Sequence, residues 1–137
     1  MAYLGEIPEN LKYTKEHEWA ALGNDTSGNK TVAVGVTDYA QHALTDVVFV
    51  ELPSIGKKVS QFKQLCVIES VKSVSDVFSP VSGEVVEVNQ ELSEKPELIN
   101  QNPYGSWIAK IKISSHNEIN NLMDSKKYRQ HLEGADH

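Results

Sequence analysis

The sequence predicts a mainly β protein, folded as a sandwich or barrel, and three observations carry that reading. Short runs of apolar and β-branched residues recur along the chain, and stretches rich in Pro, Gly and Asn separate them. The segment Trp107-Ile108-Ala109-Lys110-Ile111-Lys112-Ile113 alternates, with Lys110 and Lys112 on one face and Ala109, Ile111 and Ile113 on the other. A helical period enters only in a short segment after Thr37 and again near the C-terminus.

The elements follow in order. Leu11 to Trp19 mixes aromatic and charged residues and runs into a first strand ending near Leu22. Gly23 to Asn29 is a loop, rich in residues that tolerate left-handed backbone. Lys30 to Val36 resumes as a strand. Thr37 then caps a short helix over 37–44, because its hydroxyl can accept from an orphan backbone N–H, and Ala40, Ala43 and Leu44 form that helix's apolar side. Val47 to Leu52 is expected as a buried strand stopped by Pro53 and Gly56. Leu65 to Glu69 and Val74 to Phe78 are two more, forming a hairpin over 65–78, and Glu84 to Val88 follows the turn at Pro80 and Gly83. Asn89 to Gly105 reads as turns. In the C-terminal segment, 115–132, Ser115 and Glu118 have capping-box spacing, and Ile119, Leu122 and Met123 follow at helical spacing. Tyr128 and Leu132 belong to a second helical turn, and Glu133 to His137 to a frayed tail.

Composition narrows the function. The chain has 137 residues, fits a single domain spanning 1–137, and carries a net charge of −6 with a single arginine, Arg129. Without a basic stripe, nucleic acid is a poor partner, and an acidic surface favours basic ones. No apolar run is long enough to span a membrane, so no membrane partner is expected. A monomer is expected. Met1 to Pro8 has neither a basic start nor an apolar core of a secretion signal; a bacterial cytoplasmic location is expected, with a trimmed mitochondrial form as the alternative. Cys66 is the single cysteine, cannot form an internal disulfide, and is read as packing within its strand. His17 is read as structural and Trp107 as core, and His42 is assigned no role. No metal cluster is expected.

One side chain stands apart. Lys72 lies between two β-branched runs in Val67-Ile68-Glu69-Ser70-Val71-Lys72-Ser73-Val74-Ser75-Asp76-Val77, and the interval fits a tight hairpin turn. A lysine at such a tip is exposed and remains an ammonium, which makes it a poor nucleophile without a desolvating pocket. It suits a lysine that another enzyme modifies; alone, it equally suits an ordinary solubilising side chain.

A wider pattern decides between these. Glu69-Ser70-Val71-Lys72-Ser73 with Asp76, followed by Ser79-Pro80-Val81-Ser82-Gly83-Glu84-Val85, resembles the lipoylation hairpin of the glycine cleavage system H-protein family. Lys12 to Trp19, Val34 to Gln41, Val48 to Pro53, Pro96 to Asn100 and Pro103 to Trp107 continue the resemblance in order, over about residues 10 to 130. Two departures accompany it. Thr45 stands where the family usually has glycine, so it must either avoid positive φ or adopt it with strain. Tyr104-Gly105-Ser106-Trp107 is one residue short of the common form.

The resemblance implies a flattened β-sandwich, the barrel-sandwich hybrid of lipoyl domains, and a carrier that is not an enzyme. Lys72 would bear lipoate as N6-lipoyllysine. The carrier would take an aminomethyl group from the P protein, a pyridoxal-phosphate-dependent glycine decarboxylase. It would pass the group to the T protein, an aminomethyltransferase, and be reoxidised by the L protein, dihydrolipoamide dehydrogenase. Lipoylating enzymes are the remaining partners. Glu69, Ser70, Val71, Ser73, Asp76 and Glu18 are carried over as recognition or arm-shelter residues, with Glu18 and Asp76 facing the loaded arm's ammonium. The alternatives are an H-like relay carrier that donates lipoate to 2-oxoacid dehydrogenases, a biotinyl carrier and a free-standing enzyme. Val71 and Ser73 flank Lys72 in place of the methionines of a biotinyl site, and the sequence shows no nucleophile–base pairing or phosphate-cradling glycine loop.

Overall fold

The computed structural model describes residues 3–134. Among the described residues, nine antiparallel strands form two sheets. β1 (Lys12–Tyr13), β2 (Glu18–Asn24), β3 (Lys30–Val36), β5 (Lys58–Val59), β8 (Gly83–Val88) and β9 (Ala109–Ile113) make a six-stranded sheet in the order β1-β2-β3-β9-β8-β5. β4 (Val47–Glu51), β6 (Gln64–Ser70) and β7 (Val74–Phe78) make a three-stranded sheet in the order β4-β6-β7. This is the expected flattened sandwich, and the barrel is not closed.

Alternation decides which side chains fill it. Val32 pairs with Ile111, and Ile111 with Val85, so one transverse row of fully buried residues crosses the larger sheet. Val50, Cys66, Ile68 and Val77 of the smaller sheet complete the same core. Lys110 and Lys112 point the other way along β9, as the alternation requires. Burial pushes the Cys66 thiol up to about 12, so this cysteine packs as an inert apolar side chain.

A second cluster lies apart from this core. Ile7, Leu11, Tyr13, Trp19, Tyr128 and Leu132 pack together, with the Tyr13 and Tyr128 rings stacked at 4.6 Å between centroids. Trp19 lies opposite Gly35 in the β2–β3 register, and a Cβ at Gly35 would come within 2.4 Å of the indole. Glycine is therefore a packing requirement there.

Thr37 caps α1 (Asp38–Leu44) as expected, its hydroxyl accepting from the Ala40 N–H at 3.2 Å. Ala40 and Leu44 pack on the core, while Ala43 stays exposed.

Several expectations are corrected. The first strand is split: Thr14 N–H donates to the Glu18 carbonyl and closes a turn, so pairing restarts at Glu18. The strand after α1 is only half buried. Its register shifts between Val47 and Phe49, and Val48 and Phe49 face solvent while Val47 and Val50 stay inside. The turn-rich stretch holds two short helices, α2 (Glu91–Glu94) and α3 (Leu98–Gln101), which anchor Leu92 and Ile99 in the core. The C-terminal helix divides into a 3-10 helix (His116–Asn121), a single bridge between Tyr13 and Met123, and α4 (Ser125–Gly134). No capping box forms at Ser115, because the Glu118 carboxylate accepts instead from the Ser82 N–H and hydroxyl, both at 2.7 Å. Trp107 is half buried rather than core, with the Lys110 ammonium 4.8 Å from its ring centroid. Glu133 belongs to α4 rather than to a frayed tail, and 135–137 lie outside the described residues.

Replacing Ile111 with Ala should cost about 3 kcal/mol, because the central row cannot close over the lost atoms. Replacing its neighbour Lys112 with Ala should stay within about 0.5 kcal/mol. Urea unfolding of the two variants measures both.

Candidate functional site

The β6–β7 hairpin turns between Ser70 and Ser73, leaving Val71 and Lys72 as its two central residues. Neither has positive φ, so the turn is not of the mirror-image kind that two-residue hairpins favour. Ser70 supplies the closure instead. Its N–H donates to the Ser73 carbonyl at 2.8 Å, and its hydroxyl oxygen accepts from the Lys72 and Ser73 N–H groups at 3.2 and 3.1 Å. The tip is then tied to the segment after α1: Val71 N–H donates to the Asp46 carbonyl at 2.9 Å, and Val47 pairs with Ser70.

Lys72 is exposed at this tip, as expected, and its ammonium donates to the Ala43 carbonyl at 3.2 Å. Ala43 lies in the last turn of α1, where free carbonyls and the helix dipole favour a cation. Val71 and Val74, 68% and 69% exposed, flank the lysine. On the outer face of the small sheet, Glu69 stands between Phe49 and Val74 in the strand register.

Ala43 also borders a groove of about 230 Å³ lined by Glu16, Glu18, Ser73, Ser75, Asp76 and Phe78, among others. A second cavity of about 510 Å³, bordered by Tyr13, Thr14, Lys15, Phe62, Phe78 and Met123, shares Glu16, Glu18 and Phe78 with it. The two hollows meet at Glu18. The structure thus brings Glu18 and Asp76 to one groove beside the hairpin, whereas Glu69 does not border it.

The two acids differ. Asp76 is exposed and accepts from the Gln64 amide at 2.8 Å. Glu18 is only 1% exposed, so it does not solvate a strand end. One of its oxygens accepts from the Thr14 hydroxyl and the other from the Phe78 N–H at 3.1 Å. Burial disfavours the carboxylate more than these bonds favour it, and the group is pushed up to about 7. Its neighbour His17 moves the opposite way, down to about 4, through burial and the nearby His131. The His17 Nδ1 lies 2.8 Å from the Tyr128 hydroxyl, which is also 2.8 Å from Thr37 Oγ1. His17 therefore is structural, as expected, and joins α4 to the cap of α1. His42 is exposed, 3.6 Å from Asp38.

The family model for the glycine cleavage H-protein matches residues 11–135. The chain belongs to the glycine cleavage H-protein family. It is 54% identical over 135 residues to a probable glycine cleavage system H protein of Pyrococcus abyssi, covering 96% of this chain and 98% of that one. It is 52% identical over 128 residues to the glycine cleavage system H protein of Halothermothrix orenii, covering 93% and 96%. The crystal structure of a glycine cleavage system H protein from Mycobacterium marinum superposes with a TM-score of 0.80 at 37% identity, covering 90% of this chain and 97% of that one. H proteins are carrier subunits of the glycine cleavage system, and the family is a lipoyl one.

Within this H-protein fold, the sequence departure at Thr45 resolves as positive backbone, φ 64° and ψ −152°. Sequence reasoning missed three members of the site. Thr14, whose hydroxyl donates to Glu18, carries no distinguishing pattern. Ala43 acts through its carbonyl, which any residue possesses. Asn100 was quoted within a motif, but its contacts with Gln41, Thr45 and Val47 come from distant parts of the chain. Among the described residues no group of three or more His, Cys, Asp or Glu could hold a metal, and no helix is long and apolar enough to cross a membrane.

The opposed shifts at His17 and Glu18 make a testable pH dependence. Glu18 rises from 4.5 to about 7 on folding, so between those values the folded state holds the extra proton and stability falls as pH rises. His17 falls from 6.5 to about 4, so over that window the unfolded state holds the extra proton and stability rises with pH. Where the windows overlap the two slopes cancel. Glu18→Gln should unmask the histidine, giving stability that rises between pH 4.5 and 6.5 more steeply than in the parent; urea titrations across that range measure it.

Proposed function

We propose that Lys72 is the lipoyl attachment point, and that the chain serves glycine cleavage as a non-catalytic carrier working in turn with the P, T and L proteins. One observation supports this most: the lysine stands exposed at the tip of a hairpin whose backbone is closed by Ser70 and braced by Asp46. A tethered arm searches several active sites at an effective concentration set by its length, so its base must be stiff.

The residues present fit the group. The ε-amine reaches solvent, one carbonyl is its partner, and an acylated nitrogen keeps an N–H that can still donate to Ala43. When bound, lipoate supplies a redox-active dithiolane that accepts and gives up the one-carbon unit. The protein's own contribution is position and recognition. Glu69, Ser70, Val71 and Ser73 shape the tip that a lipoylating enzyme must read. Asp76 offers an exposed carboxylate along the groove, and Glu18 closes its floor. A cation brought to that floor favours ionisation of Glu18, whose carboxyl is close to half-charged at neutral pH, so the loaded arm's ammonium would gain a buried partner.

Intact mass of protein made in lipoate-replete cells should show a lipoyl adduct on the peptide containing Lys72, and Lys72→Arg should abolish both the adduct and glycine turnover with purified P, T and L proteins. Turnover that survives Lys72→Arg overturns the assignment. Adduct formation without glycine turnover by the parent would point to the relay role. Asp76→Ala combined with Glu18→Gln should shorten the lifetime of the loaded carrier in isolation several-fold, followed by release of its one-carbon unit; an unchanged lifetime removes both acids from the shelter.

A further inference from the structure

Thr45 holds φ 64° and ψ −152°, a backbone that a β-branched residue rarely adopts. Something must hold it there. The Thr45 N–H closes α1 on the Gln41 carbonyl at 3.1 Å, but that bond lies before the bend. Beyond it, one side chain reaches both flanks. The Asn100 amide, carried on α3, donates to the Thr45 carbonyl at 2.7 Å and to Gln41 Oε1 at 3.1 Å, while its own oxygen accepts from the Val47 N–H at 2.9 Å. All of its polar atoms are engaged, and they bracket Asp46.

Asp46 is the residue whose carbonyl receives the Val71 N–H, one position from Lys72. Ala43, two positions before the bend, supplies the carbonyl that receives the Lys72 ammonium. The bend therefore sets the spacing between two carbonyls on which the hairpin tip rests. Among the described residues the tip makes no such bond with the larger sheet.

We propose that Asn100 is the positioning residue of Lys72: it locks the strained Thr45 bend so that the Ala43 and Asp46 carbonyls together hold the lysine-bearing tip for acylation. The proposal rests on the reading of Lys72 as the lipoyl site. Asn100 touches neither the lysine nor an arm, and acts only through the 43–47 segment. Without it the bend samples ordinary backbone conformations, the tip separates from Asp46, and the fraction of molecules presenting an ordered lysine falls. A lipoylating enzyme that recognises the ordered tip then shows weaker apparent affinity, while the chemical step, once bound, is unchanged.

Two readouts on the full-length protein before lipoylation test this. Asn100→Ala should speed hydrogen exchange at the Val71 amide about tenfold, leaving the central β3 amides within about twofold of the parent. It should also raise KM for transfer of lipoate by a purified lipoate–protein ligase about fivefold with kcat retained. Glycine accepts the bend without strain, so adding Thr45→Gly to Asn100→Ala should return both readouts to within about twofold of the parent. Unchanged Val71 exchange in Asn100→Ala, loss of protection shared equally by β3, a fall in kcat at constant KM, or failure of Thr45→Gly to rescue each overturns the proposal. Absence of lipoyl transfer to the parent would overturn the Lys72 reading instead, and the exchange experiment would still decide the clamp.

Discussion

A hairpin alone is marginal in water and needs a third strand and a packed apolar face to hold its shape, and here the exposed lysine stands on such a hairpin. The structure supplies the missing stiffness by burial. Val50, Cys66, Ile68 and Val77 turn inward from β4, β6 and β7 and meet the Val32–Ile111–Val85 row of the larger sheet. Each fully buried aliphatic side chain contributes on the order of 2 kcal/mol from leaving water, so prying the small sheet away would expose several at once. The hairpin is thus anchored along its length, and only the last two residues at its tip need further support. The outer face can then stay polar and open, with Glu69 and Asp76 free of packing duties.

The same anchoring forces a cost at the edge of the groove. β7 ends beside the start of β2, and the Phe78 N–H there needs an acceptor. Glu18 provides one, at the expense of burying a carboxyl. An unpaired buried N–H and an unpaired buried carboxyl are each costly; joined, they satisfy one another and leave only the carboxyl's charge to be settled. Thr14 takes the second oxygen. His17, forced to positive φ by the same turn, is held neutral against Tyr128. Two adjacent residues therefore carry opposite protonation preferences at the edge of the groove.

Much of this was legible in the residues. Alternation placed β9 and its lysines correctly, Thr37 announced its helix, and the β-branched runs around Lys72 marked both strands of the hairpin. What escaped was whatever depended on a distant partner. Ser115 and Glu118 have capping spacing, but Ser82 offers the carboxylate two donors where a cap would offer one. α2 and α3 are four residues each, too short to show a period. Val48 and Phe49 belong to an apolar run whose alternation a register shift interrupts, so the run looked buried throughout. A single acid such as Glu18 carries no sequence sign of burial, since its need for the Phe78 N–H exists only after β2 and β7 meet.

The Thr45 bend shows why local rules fail where the tip is held. Helix propensity and turn chemistry would place glycine there, and a threonine costs roughly 1–3 kcal/mol in that backbone. The conflict is local, and its resolution is not: Asn100 returns three hydrogen bonds from a helix more than fifty positions along the chain. Such an arrangement is stiff, because leaving it breaks several hydrogen bonds together. On the proposed reading of Lys72 as the attachment point, that stiffness serves the base of an arm that needs flexibility only beyond the ε-nitrogen. The division falls at the Ala43 carbonyl, the backbone group that the Lys72 Nζ itself reaches.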